Sequence, residues 1–510
     1  MPSTMQAARP SRFGRRRAGC YGVLGIMLLA PVGGPFRVHA QTITPRTVPV
    51  QMSQQFNVIP SDRAAMGNVS IALDDALLDP FVNPAKAVRL KTGVLSIAPY
   101  FFSQSESRGG GRSFPISGVG AIGKWAFGGL FAVQQLDRTR LIWNSPISEQ
   151  TAANQYLSGI VARSLGRGFA IGASAYVASI EAQQGIDQLY SGSDRILQDG
   201  SASDARVGLT RQWGEGRKFE AILLHNTFDM THDVHWPAFT QFTPPNTRTP
   251  VAERSEFNRD RTTRWGAHTE YVMPVGTEGW NFGLLGTVNR LSHPKIPDYR
   301  INEVITVPRD PGHTTAFNAG VGMSRVIGKA TFGFDVLVEP ISSTTWAEAA
   351  RDTITPRGTT IPRGGHTVDN KFRFNNSLMR FGFERMAPPT DSATHFGFQF
   401  GLGVNSIRYR LWQTDQVRDS SRVQNERWME WTPSVGFKLR SPGYEIHYTV
   451  ASTCGAGSSC IPSPFFFATG DDVTVAAPNS GGVIAAPTGA LRFNGGRVTT
   501  QRLAFSFRIR

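Results

Sequence analysis

From residue 93 onward, apolar and polar positions alternate with a period of two. Trp125, Phe127, Gly129, Phe131 and Val133 take every second position, and so do Phe169, Ile171, Ala173, Ala175 and Val177. The pattern returns at Trp280 to Val288, Ala330 to Val338 and Phe396 to Val404. Alternation of this kind sends one set of side chains to each face of a strand. Repeated segments of about ten residues are the signature of a membrane β-barrel. One hairpin is plain in the sequence. Trp431, Pro433, Val435, Phe437 and Leu439 run into Ser441-Pro442-Gly443, and Tyr444, Ile446, Tyr448 and Val450 keep the apolar set on the same face.

The connections alternate in length. Short turns are predicted at 165–168, 214–216, 274–279, 326–329, 387–390 and 441–443. Long polar loops are predicted near 184–202, 230–261, 294–313, 345–369, 414–423 and 453–497. A barrel in an outer membrane has this rhythm, with turns toward the periplasm and loops outside. Trp125, Trp213 and Trp280 lie beside short turns, and Trp265, Trp346, Trp412, Trp428 and Trp431 lie toward the loops, as the two aromatic girdles of such a barrel do. The segments count to sixteen if 93–103 and 113–122 are separate strands, and to fourteen if they are not. The last strand carries Leu503, Phe505, Phe507 and Ile509 on one face.

The chain before residue 93 has a different character. Residues 1–40 read as a secretory signal peptide, with Arg12, Arg15, Arg16 and Arg17, a short apolar stretch from Tyr21 to Ala30, and Val38-His39-Ala40 before the cut. Residues 41–60 are polar and proline-rich, an extended lead-in. Residues 61–92 carry the helical character of the exported chain, as short turns punctuated by Pro80 and Pro84. The organisation is therefore signal peptide 1–40, lead-in 41–60, plug-like segment 61–92 and barrel 93–510.

Composition narrows the class. Charged residues make up 18% of the chain and phenylalanine 33 of its 510 residues, which excludes a disordered protein. No apolar run approaches the length of a membrane helix, so insertion must be by strands. The net charge is +15, and losing the six arginines of the first 40 residues leaves about +9. Spread over strands and loops rather than gathered in a stripe, this excess points to outer-membrane lipids and lipopolysaccharide as partners and away from nucleic acid. After export two cysteines remain, Cys454 and Cys460, spaced for a small loop disulfide. No cofactor and no metal site is read from the sequence.

Residues 62–102 resemble the start of the long-chain fatty-acid transporter (FadL-like) family and its PorV-like relatives. The shared features are Ala64-Ala65-Met66-Gly67, the pair Asp74-Asp75, and Asp79-Pro80-Phe81-Val82-Asn83-Pro84-Ala85 just ahead of the first strand. Lys86 follows where those proteins more often carry glycine or an aromatic residue. The resemblance implies a hatch inside the lumen, built on Met66, Gly67, Asp74, Asp75, Asn83, Pro84 and Ala85, and fourteen strands. It also implies passive transport of a small hydrophobic or amphipathic molecule. Asn83-Pro84 fixes a turn, and proline lacks the N–H needed to join a strand ladder.

Catalytic chemistry has one foothold, Thr231-His232-Asp233-Val234-His235 at the outer end of a strand, where an Asp–His pair would activate water. The bland reading is a polar loop base, and it is preferred, so the chain is read as a non-enzyme. The alternatives to plugged transport are a structural or secretion-associated barrel that binds partner proteins, and a general porin.

Overall fold

The computed structural model describes residues 54–104, 110–142, 145–182, 193–243, 247–276, 278–293, 312–349, 351–388, 394–456 and 497–509. The signal-peptide reading, most of the lead-in and Cys460 lie outside them.

Sixteen antiparallel staves close on themselves among the described residues. They are β1 (Gly93–Ile97 resumed at Tyr100–Gln104), β2 (Gly110–Ile122), β3 (Trp125–Ile142), β4 (Ser145–Gly166), β5 (Phe169–Ile180) and β6 (Arg195–Gln212). Then follow β7 (Lys218–Trp236), β8 (Arg254–Val275), β9 (Trp280–His293), β10 (Gly312–Ile327) and β11 (Ala330–Glu348). The series ends with β12 (His366–Met386), β13 (His395–Asp415), β14 (Ser420–Arg440), β15 (Tyr444–Ala456) and β16 (Arg497–Ile509). Each stave pairs with the next, and β1 pairs with β16, Gly93 opposite Ile509. The implied fourteen strands are thus corrected to sixteen, because β1 and β2 are separate staves. Pro99 interrupts β1 without shifting it. Ile97 faces Phe505 and Tyr100 faces Arg502 in one continuous register, with Ala98 N–H and Pro99 C=O still bonded across the ladder.

The core is inverted. The alternating apolar sets point outward. Phe127, Phe131, Ile171, Val177, Leu284, Val288, Phe396, Phe398 and Phe400 are all exposed, whereas Gln134, Asn154, Asp204, Asn289, Asn376 and Gln399 are buried inside. On β13 the outward apolar run from Phe396 to Val404 covers nine residues, and at ~3.3 Å each with a tilt of ~40° it spans roughly 23 Å. A closed ladder with an apolar belt of that height is an outer-membrane barrel, since no edge is left to be satisfied in lipid.

The strands run further than the belt requires. β12, β13 and β14 each have 21 residues. Predicted loops are therefore partly strand. The connection read as a loop over 414–423 is the four residues between Asp415 and Ser420, and the 230–261 loop contains a small hairpin, Phe239–Thr243 with Thr247–Val251. Polar outward residues hide this from sequence, because the ribbon stands in water above the membrane and has no apolar face to show.

Candidate functional site: a segment seated inside the barrel

Residues 54–92 contribute no stave. They form 3-10 turns at Gln54–Phe56, Ala64–Met66 and Pro84–Arg89 and one helical turn at Asp79–Val82, and they run around the inner wall. Gln55 lies against β3, β4 and β5: its carbonyl accepts from Gln134 (2.7 Å) and its side chain donates to the Ala182 carbonyl (2.6 Å). The end of the predicted lead-in therefore belongs to the lumenal segment, with Gln55 and Val58 fully buried. Arg502 on β16 donates to the Ile59 carbonyl (2.7 Å). Ser434 on β14 donates to Ala65 O (3.0 Å) and accepts from Gly67 N (3.2 Å). Asp335 on β11 accepts from Ser70 N (2.7 Å), and Ser324 on β10 donates to Ala72 O (2.6 Å). Arg206 on β6 donates to Phe81 O (2.8 Å). The segment thus satisfies its backbone on side chains of the wall, which is what a chain without ladder partners must do when buried.

The wall is cut to receive it. A β-carbon on Gly172 would come 2.5 Å from Ala85 N, one on Gly283 2.6 Å from Ile71, and one on Gly333 2.7 Å from both Val69 and Leu73. Gly436 would meet Ala65 at 2.5 Å, and Gly208, Gly322, Gly382 and Gly401 would strike Asn83, Ile71, Met66 and Gly67. These glycines face one another across strands, 172 with 208, 283 with 322, and 382 with both 333 and 401. They make a seat three to six residues in from the turn ends of their staves. Real β-carbons do not approach so closely, so the fit admits only glycine.

Every residue of the predicted motif has a place here. Met66 is buried with its carbonyl against Gly382, and Gly67 takes the left-handed conformation, φ +66°. Asp75 accepts from Ser61 Oγ (2.6 Å) and from the amides of Asp62, Leu77 and Leu78 (3.0–3.1 Å), and Arg63 Nε stands at 3.5 Å. Burial pushes this carboxyl up, but the Arg63 guanidinium and these hydrogen bonds hold it below the usual carboxylate range. Asp74 pairs instead with Lys218 on β7. Asn83 Oδ1 caps the Pro84 turn through Ala85 N (3.1 Å), and its amide donates to Glu220 Oε2 (2.9 Å). Pro84 and Ala85 press on Gly208 and Gly172. Cys454 stands half-buried on β15; its expected partner Cys460 is outside the described residues.

Sequence reasoning missed the charges that lock these parts together. Arg63 Nη2 meets Asp79 at 2.9 Å, and Lys86 Nζ lies 3.4 Å from Asp79 and 3.0 Å from Glu220 on β7. Lys86, the departure from the family pattern, therefore links the segment's own knot to the wall. Glu220, His268 and Glu270 come within 4.8 Å through their ligand atoms, a grouping able to hold a metal. Lys86 already supplies a cation there. No spacing rule finds this set, since β7 and β8 bring it together. The 231–235 motif divides: His232 turns into the lumen against Gln198 (3.1 Å), whereas His235 bonds Asp194 (2.6 Å) on the other face.

An apolar patch faces the lumen nearer the loops. Ala316, Ile341, Phe372, Phe374, Ile407 and Leu411 pack together on β10 to β13, six or more residues above the glycine seat. Phe381, by contrast, points outward and meets Phe332 (5.3 Å) and Phe400 (6.4 Å) edge to face.

No family model and no curated protein matches the chain. Among solved structures it is similar to a FadL homologue of Pseudomonas aeruginosa, at 10% identity over 89% of this chain and 99% of that one, TM-score 0.41. It is similar to the Ralstonia pickettii toluene transporter TbuX at 9% identity over 88% and 97%, TM-score 0.36. It is similar also to a bacterial polysaccharide outer membrane secretin at 7% identity over 82% and 99%, TM-score 0.39. The barrel assignment itself rests on the closed ladder and its apolar belt.

Proposed function

We propose that this barrel passes small hydrophobic or amphipathic molecules across the outer membrane, with residues 54–92 as its plug. The observation that carries the reading is how the segment is held. The ladder is complete without it, and its ties to the wall are side-chain hydrogen bonds, ion pairs and glycine contacts. Its internal knot of Arg63, Asp75 and Asp79 keeps it folded as a unit. Such a unit moves by exchanging wall contacts, with no strand to unzip. The lumenal patch at Phe372 and Phe374 offers an apolar solute a place between the loops and the plug.

Uptake of a fluorescent fatty acid into proteoliposomes tests this. Loosening the plug with E220Q and D335N is expected to raise the rate, and F372D with F374D to lower it. Equal rates for all three proteins would sink the reading. Steady open-channel conductance of the unaltered protein in planar bilayers would favour a general porin, and a stoichiometric protein partner from native membranes would favour a secretion-associated role.

A further inference from the structure

The outer surface of β12 to β14 carries a cationic grid just above the apolar belt. The register sets it out row by row. Met379, Val404 and Trp431 lie side by side as the last wholly apolar row. Next come Ser377, Ser406 and Met429, then Asn375, Arg408 and Arg427, then Arg373, Arg410 and Asn425. Lys371 stands beside Trp412 in the row beyond. All five cations are exposed. Arg410 and Arg373 lie over the Trp412 ring, at 4.4 and 5.7 Å.

These charges lack the partners found elsewhere on the wall. On the face made by β7 and β8, Asp229 takes Arg259 in two bonds (2.6 and 2.7 Å) and approaches Arg261 (3.7 Å). Among the described residues none of the five on β12 to β14 is in an ion pair. Asp369, the outward acid one row beyond Lys371, is held by His366 (2.7 Å). Like charges set side by side across strands repel, as Arg373 with Arg410 and Arg408 with Arg427 do. An anion between them removes that cost.

We propose that this grid binds the phosphate groups of the outer-leaflet glycolipid, lipopolysaccharide. The position selects the ligand class. The cationic rows begin four residues above Val404 and Trp431, past the Ser377–Ser406–Met429 row, where acyl chains have given way to headgroups on the side of the long loops. A molecule filling them has an apolar part against the belt and multiple negative charges above it. Guanidinium groups pair with phosphate oxygens through two hydrogen bonds each. Ser342 and Thr344 on β11, beside Arg373 and Lys371, add hydroxyls at the same level.

The test is native mass spectrometry of the full barrel in mild detergent, titrated with diphosphorylated lipid A. The arms are dephosphorylated lipid A and phosphatidylglycerol. The variant R373Q/R408Q/R410Q/R427Q is expected to bind diphosphorylated lipid A on the order of a hundredfold more weakly, while R259Q/R261Q binds as the unaltered protein does. Heat-shifted gel migration shows that each variant is a closed barrel. Unchanged affinity in the fourfold variant overturns the proposal. So does equal binding of the dephosphorylated lipid, and so does equal binding of phosphatidylglycerol, which would make the grid a general anionic-lipid surface.

Discussion

Glu220 shows what a single side chain holds together. Its two oxygens receive Lys86 and Asn83, so it ties both halves of the segment's last turn to β7. Removing it takes the nearer of two carboxylates from buried Lys86, leaving Asp79 at 3.4 Å, and strips Asn83 of its acceptor. Glu220→Ala is therefore expected to cost about 3 kcal/mol in urea unfolding of the refolded barrel. Glu220→Gln keeps the acceptor for Asn83 and should cost less. The glycine seat makes a second expectation at this scale. Gly401→Ala drives a methyl into Gly67, and overpacking of this sort costs roughly 1–3 kcal/mol. Gly159, which has open space around its missing β-carbon, is the control: Gly159→Ala should leave the unfolding midpoint almost unchanged.

At the scale of elements, strand length exceeds membrane thickness. A tilted strand crosses the hydrocarbon in about 9–11 residues, and the 21 residues of β13 leave half of it in water. The tight connection between Asp415 and Ser420 then stands far outside, and the Ser441–Pro442–Gly443 turn lies at the periplasmic rim. An epitope inserted at 417 is expected to be labelled by antibody on intact cells, and one inserted at 442 only after permeabilisation. Labelling of both on intact cells would contradict the orientation. The plug at this scale is a set of turns in place of a strand, because Pro80 and Pro84 withhold donors and Asn83 closes its own turn.

For the whole molecule, the ladder and the plug are held by different forces. Barrel amides are bonded strand to strand in a closed ring, with no end from which to fray. Plug amides bond mostly to side chains and to near neighbours. Hydrogen exchange should therefore proceed in residues 54–92 well before the stave amides, as local opening is easier where fewer bonds act together. Exchange at one common rate would mean that plug and barrel open only together, and a movable plug would be untenable.

The sequence by itself determined the barrel. A period of two is a local property of a strand, and many repeats of it with short turns between alternate pairs leave one architecture that satisfies every backbone group in lipid. It also set the stretch before β1 apart from the staves, since Met66-Gly67, Asp74-Asp75 and Asn83-Pro84-Ala85 sit in consecutive residues. The strand count was open until the ladder showed Val94 opposite Val119 and Gly93 opposite Ile509. What only the tertiary structure decided is the seat and the charge network. Gly172 and Gly208, or Lys86 and Glu220, are far apart along the chain, and a glycine in a strand looks alike whether it faces lipid or a packed plug. The cationic rows are of the same kind: Arg373, Arg408 and Arg427 are scattered in sequence, and register alone gathers them on one face.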